Sequence, residues 1–167
     1  MVLDLSSGSL VVFFTMTLLL VVYSMMDIRS RRVTNRVLVI GCIIGLAVAL
    51  LTGRFLIEPV LRLSAAVFAA SLSYVLFRLG SLGGADVKLL FGVALISPGA
   101  ELSMLGSPLY ESVLSAGLQM SVMLFGGYLC SQHSKNRERN GKTAGNRPPL
   151  IPFLLVGYLA SQLLAVL

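Results

Sequence analysis

Four long apolar runs constrain this chain more than anything else in it: Leu10–Met26, Pro59–Leu79, Tyr110–Cys130 and Leu150–Leu167. A helix needs about 20 apolar residues to cross the hydrocarbon core of a bilayer, within a range of about 17–25. Each run has that length. Val37–Leu51 joins them if Val33–Arg36 supplies an interfacial first turn. Asp86–Ser97 is short for a crossing, and needs either an extension through Pro98–Leu105 or local thinning of the membrane. Composition agrees with a membrane solvent. The 167 residues are 56% hydrophobic and 12% charged, with a mean hydropathy of +0.90. A soluble domain runs about 45–50% apolar and roughly 25% charged. A water-soluble enzyme, a disordered tail and a disulfide scaffold are excluded.

Charge placement decides the short segment. If Asp86–Ser97 crosses, the polar segments 27–36, 78–88 and 131–147 share one side. They carry Arg29, Arg31, Arg32 and Arg36, then Arg78 and Lys88, then Lys135, Arg137, Arg139, Lys142 and Arg147. Eleven of the 13 basic residues then lie together, with Arg54 and Arg62 near the other side. If it does not cross, the five of 131–147 move outside, against the positive-inside bias. The expectation is an all-α membrane protein: one domain over 1–167, a polytopic bundle of six transmembrane helices. Its spans are about 10–26, 33–51, 59–79, 86–97, 110–130 and 150–167, with both termini outside. The net charge of +6 is an orientation signal, and no nucleic-acid partner is expected.

Smaller features are quickly placed. Asp4 and the lack of any basic residue before Arg29 deny the chain a signal peptide's positive leading region, so the first run is expected to stay as an anchor. Cys42 and Cys130 have no CxxC spacing and read as buried, unpaired thiols. Gly41 and Gly45 form a GxxxG step that lets another helix approach closely, read as core packing. Gly141-Lys142-Thr143 lacks a phosphate-loop glycine at Asn136 and a preceding strand. His133 is alone and solvated. The parts of metallo-, serine and cysteine proteases are missing, and neither a metal site nor a cofactor is expected. Loop 131–147 is chiefly an orientation determinant, with a secondary role in gripping anionic lipid.

Of seven acids, Asp4, Glu58, Glu101 and Glu111 fall in or beside outside segments, and Glu138 lies in the basic loop. Asp27 closes the first span and Asp86 opens the fourth, on one face where lipid gives way to water. Ionisable groups at membrane depth are costly and usually mark function. Each also has a structural reading: Asp86 capping its helix, Asp27 pairing with Arg29, Arg31 or Arg32. Two carboxylates within reach of one water suffice for peptide hydrolysis. Close like charges keep one proton between them; the ionised member takes a proton from water and the protonated one donates to the carbonyl oxygen or leaving amine.

Asp27-Ile28-Arg29-Ser30-Arg31-Arg32-Val33-Thr34-Asn35 resembles the first aspartate motif of the type IV prepilin peptidases, and Gly83-Gly84-Ala85-Asp86-Val87-Lys88 resembles their second, the GxGD-type step. Pro149-Leu150-Ile151-Pro152-Phe153 is similar to the start of their last helix. The resemblance implies an aspartic endopeptidase of the cytoplasmic membrane, with Asp27 and Asp86 catalytic on the cytoplasmic face. It implies that the substrates are type IV pilin-like precursors, whose short basic leader is removed and whose apolar helix lies in the bilayer. Gly83, Gly84, Lys88 and Asn35 take supporting roles: the glycines admit substrate backbone, and Lys88 favours a charged aspartate or holds the loop. Ala85 stands where the family's second glycine is usual, so a less mobile loop is expected before Asp86; Thr34 stands where proline is usual. With 26 residues before Asp27 and no cysteine among them, the methylation carried out by two-function members is not expected. The rival reading is a small proton- or ion-coupled carrier or assembly subunit using Asp27 and Asp86 as ion sites.

Overall fold

The computed structural model describes residues 2–3, 6–30, 33–57, 59–98, 103–104, 108–139 and 149–166. Seven helices follow in order among these: α1 (Ser7–Ser30), α2 (Asn35–Leu51), α3 (Arg54–Ile57), α4 (Pro59–Arg78), α5 (Gly84–Ile96), α6 (Pro108–Arg139) and α7 (Ile151–Val166). Val2–Leu3 pairs antiparallel with Ser103–Met104. Three helices, Ser7–Ser30, Pro59–Arg78 and the Leu109–His133 part of α6, are long and apolar enough to cross a membrane; α2 and α7 are shorter apolar helices. α6 packs on α7 and α4, α4 on α5, and α1 on α7 and α2.

The apolar residues divide into two sets. Val12, Met16, Leu20, Leu89, Met123 and Leu154 are buried in one cluster between the helices, while Phe14, Leu18, Ile43 and Phe125 are each more than 60% exposed. In water such a surface would drive aggregation; against lipid it is an ordinary solvated face. Helix association in lipid then rests on close packing and interhelical hydrogen bonds. Gly41 leaves room for the Tyr23 phenol of α1, whose hydroxyl donates to the Val37 carbonyl at 3.4 Å. Gly45 opposite Ile96, and Gly92 opposite Cys42, bring α2 onto α5. The Gly41/Gly45 step therefore packs against two different helices. Inside the bundle Ser64 meets Ser112 at 3.1 Å, Ser97 meets Tyr158 at 2.9 Å, and Gln119 donates to Ser161 at 3.3 Å. Such bonds are worth about 0.6 kcal/mol each in a membrane helix bundle. Cys42 and Cys130 are free thiols, as expected, but half-buried.

Several boundaries differ from expectation. α6 runs on through Arg139, so the first nine positions of the polar 131–147 segment are helical. Gln, Lys, Arg and Glu are good helix formers, and the helix passes beyond its apolar part; residues 140–148 lie outside the described residues. α2 begins at Asn35 after an extended Thr34, so Val33 and Thr34 form no helical turn. α5 ends at Ile96 and does not extend through Pro98. Proline disfavours helical backbone in the residue before it, and Ser97 accordingly leaves the α region, its N–H closing on the Val93 carbonyl at 2.8 Å. At 13 residues, α5 is about 20 Å long at 1.5 Å per residue, against a core of about 30 Å.

Candidate active site

Asp86 lies in the first turn of α5, where carboxylates are favoured. The positive end of a helix attracts an anion, and a side chain at the third helical position reaches back to the N–H before the helix. Asp86 Oδ2 accepts the Gly83 N–H at 3.0 Å. A Cβ on Gly83 would stand 2.9 Å from that same oxygen, whereas one on Gly84 would make an ordinary 3.8 Å contact with Phe77. Gly83 is therefore the residue whose missing side chain the carboxylate uses. The tight turn before it is made by Gly80, with φ +75°. Ala85 sits inside the first turn of α5, where alanine is the best helix former. The position at which a less mobile loop was expected is thus helical.

Asp27 lies in the last turn of α1, the negative end of its own helix and an unfavourable place for an anion. Its compensation comes from α7. Asp27 Oδ2 accepts the backbone N–H of Ile151, the first residue of that helix, at 3.1 Å. Pro152 has no N–H to satisfy, and the amides of Phe153 and Leu154 both reach the Leu150 carbonyl at 3.2 Å. The first turn of α7 is thus satisfied partly by a side chain from α1. This contact, rather than one with Arg29, is where the carboxylate is held; Arg31 and Arg32 lie outside the described residues. Leu150 and Phe153 fill the space left by Gly127 and Gly126 of α6, which fixes the approach of the Pro149–Phe153 segment.

Lys88, on the exposed side of α5, donates from Nζ to Asn35 Oδ1 at 3.1 Å. The contact joins the start of α5 to the start of α2. Because α2 begins at Asn35, soon after α1 ends at Ser30, it also sets the last turn of α1 and the first turn of α5 at one end of the bundle. Asp27 and Asp86 share that end, each half-buried, with Tyr23, Leu82, Leu89 and Ile151 of one apolar cluster beneath them. Arg29, Arg36, Arg78 and Lys88 belong to the same end by their helix positions. Two carboxylates so placed, each with one oxygen held by an amide, can exchange protons with a water. Tyr23, one turn before Asp27, was visible in the sequence only as part of an apolar run; its partner glycine at 41 was the available signal. No group of three or more His, Cys, Asp or Glu gathers among the described residues.

Comparison with curated proteins and with solved structures finds no match. The type IV leader peptidase family matches residues 13–131, from α1 into α6 and through both aspartate motifs. The chain belongs to the type IV leader peptidase family.

Proposed function

We propose that this protein is an aspartic endopeptidase of the cytoplasmic membrane that removes the short basic leader from type IV pilin-like precursors. Asp27 and Asp86 act as a dyad on the cytoplasmic side of a six-helix membrane domain. The observation that carries the reading is the sharing of one bundle end by two carboxylates, each steadied by a backbone amide at a helix start, in a chain of the leader peptidase family. The ionised carboxylate takes a proton from a water, whose oxygen attacks the scissile carbonyl. The protonated partner gives its proton to the carbonyl oxygen, forming a tetrahedral diol. As the C–N bond breaks, the carboxyl that took the water's proton passes it to the leaving amine, and a diol hydroxyl returns a proton to the partner. Neither aspartate is fixed as acid or base.

Lys88 and Asn35 support the site by tying α5 to α2, and Gly83 makes room for the Asp86 carboxylate. The cytoplasmic orientation is supported by the four basic residues at the aspartate end, in keeping with the positive-inside bias. The reading is tested by co-expression with a pilin-like precursor, following the leader-sized mobility shift. Wild type processes the precursor, and Asp27→Asn and Asp86→Asn do not. Ion-dependent uptake with no processed precursor would instead make the protein a carrier.

A further inference from the structure

Helix α5 is too short for its depth to be set, as that of a full-length span is, by matching its two ends to two membrane faces. Its C-terminal carbonyls end inside the protein, where unmet backbone groups are costly. Arg62, from the first turn of α4, meets them. Its side chain is only 1% exposed. The guanidinium donates to the carbonyls of Leu95, at 3.4 Å, and Ile96, and through Nε to the Arg54 carbonyl at 3.3 Å. Its Cζ lies 5.9 Å from the centre of the Phe55 ring. A cation at a helix C-terminus is a favourable charge–dipole pair, and a planar guanidinium suits several carbonyls at once.

α4 has 20 residues, enough to reach both faces of the bilayer. Arg62 therefore links a helix whose position the membrane sets to one whose position it does not. Asp86 stands ten residues before Ile96 on α5, a rigid rise of about 15 Å. A displacement of the far end of the helix along its axis is delivered undiminished to Asp86.

We propose that Arg62 is a positioning residue for Asp86: by holding the C-terminal carbonyls of α5 it sets the depth of that helix, and with it the height of Asp86 relative to Asp27. The inference rests on the dyad reading above.

The test uses full-length enzyme in vesicles with a pilin-like precursor. Arg62→Met, Arg62→Gln and Arg62→Lys are compared for kcat and KM. In parallel, a nitroxide at Phe91→Cys, on the 43% exposed face of α5, reports helix depth in a Cys42→Ala, Cys130→Ala background by its oxygen and nickel-chelate accessibility. A misplacement on the order of 1 Å can cost roughly 100-fold in rate, so kcat of Arg62→Met is expected to fall by about tenfold or more. KM should stay within about twofold, as for a loss confined to the transition state. The nitroxide should change depth, and Arg62→Lys should recover part of both effects. Folded Arg62→Met with unchanged kcat, or a fallen kcat with an unmoved nitroxide, overturns the proposal. Should Arg62→Met fail to fold, Arg62→Gln carries the same two readings, since it keeps donors and loses the charge. A moved nitroxide with an active Asp86→Asn overturns the dyad and not the anchor; an unmoved nitroxide with an inactive Asp86→Asn overturns the anchor and not the dyad.

Discussion

The carboxylate of Asp27 accepts the backbone N–H of Ile151 at 3.1 Å, across 124 positions of sequence. One side chain thereby links two helices: from the last turn of α1 it completes the start of α7. The bond joins the aspartate motif near the N-terminus to the proline-rich start of the last helix, which lies beyond the family match. It also means that a change at Asp27 tests a helix start as well as a catalytic role, and the two are separable by the choice of substitution.

Asp27→Asn keeps an oxygen that can accept the Ile151 amide, while Asp27→Ala removes it. Loss of such a cap costs about 0.5–2 kcal/mol. Thermal unfolding in detergent should therefore place Asp27→Asn close to wild type and Asp27→Ala below it. Precursor cleavage should be absent in both. Wild-type processing by Asp27→Asn would remove this residue from the chemistry and leave it a structural cap.

The two glycines before Asp86 should respond differently. A methyl on Gly83 meets Asp86 Oδ2 at 2.9 Å, and one on Gly84 meets only Phe77 at 3.8 Å. Gly83→Ala should push the carboxylate aside and lower kcat by roughly tenfold or more, on the sensitivity of rate to small misplacements. Gly84→Ala should stay near the wild-type rate. Equal loss in both variants, measured on purified enzyme, would mean that room for substrate rather than carboxylate placement is what these positions supply.

The parts of this arrangement legible in the sequence are those carried by local pattern. The apolar runs located α1, α4 and the membrane part of α6, because lipid demands length and apolarity. The start of α5 was legible from Gly83-Gly84-Ala85-Asp86, since a carboxylate in a first turn is a local preference. The Asp27–Ile151 and Lys88–Asn35 contacts were not legible as contacts, because they span 124 and 53 positions and exist only once the helices pack. Arg62 was read as a charge near the far side. Its burial against the end of α5 depends on where that helix stops, which apolar periodicity does not specify.

Lys88 and Asn35 are joined by a 3.1 Å hydrogen bond on an exposed surface, so their contributions should not add. Lys88→Ala and Asn35→Ala are each expected to lower cleavage by a few-fold, and the double variant by no more than the worse single one, the signature of a shared contact. A double variant showing the product of the two losses would separate their roles and leave Lys88 acting on the aspartate directly.

Packing between α6 and α7 depends on Gly157, where an added Cβ would lie 3.0 Å from both the Cα and carbonyl oxygen of Gln119. Those are backbone atoms, so the helices themselves must move. Gly157→Ala should destabilise the protein by about 1–3 kcal/mol, the usual cost of overpacking. Gly117, within α6, has nothing within 4 Å, and Gly117→Ala should be neutral or stabilising by up to about 1 kcal/mol through helix propensity. Unfolding midpoints in one detergent decide the pair; an unaffected Gly157→Ala would mean that α6 and α7 are not in backbone contact.

The side of the membrane on which the aspartates lie is open to a direct check with single cysteines at Ser81, Leu56 and Tyr110 in a background lacking Cys42 and Cys130. Ser81 is exposed in the turn between α4 and α5, at the aspartate end. Leu56, 76% exposed, lies in α3 at the other end of α4, and Tyr110, 79% exposed, opens α6. The basic residues at the aspartate end favour the cytoplasm. Ser81→Cys should therefore react with a membrane-impermeant maleimide only after the cells are opened, and Leu56→Cys and Tyr110→Cys should react from outside. The three positions bracket α4 and α5, so each pattern has one meaning. Reversal of all three would put the aspartates outside, where a leader still attached to the cytoplasmic end of a precursor cannot reach them. Labelling of Tyr110→Cys together with Ser81→Cys, while Leu56→Cys labels from the opposite side, would mean that the 13-residue α5 returns to the face it started from. The six-span arrangement, and the depth argument built on Arg62, would then both fail.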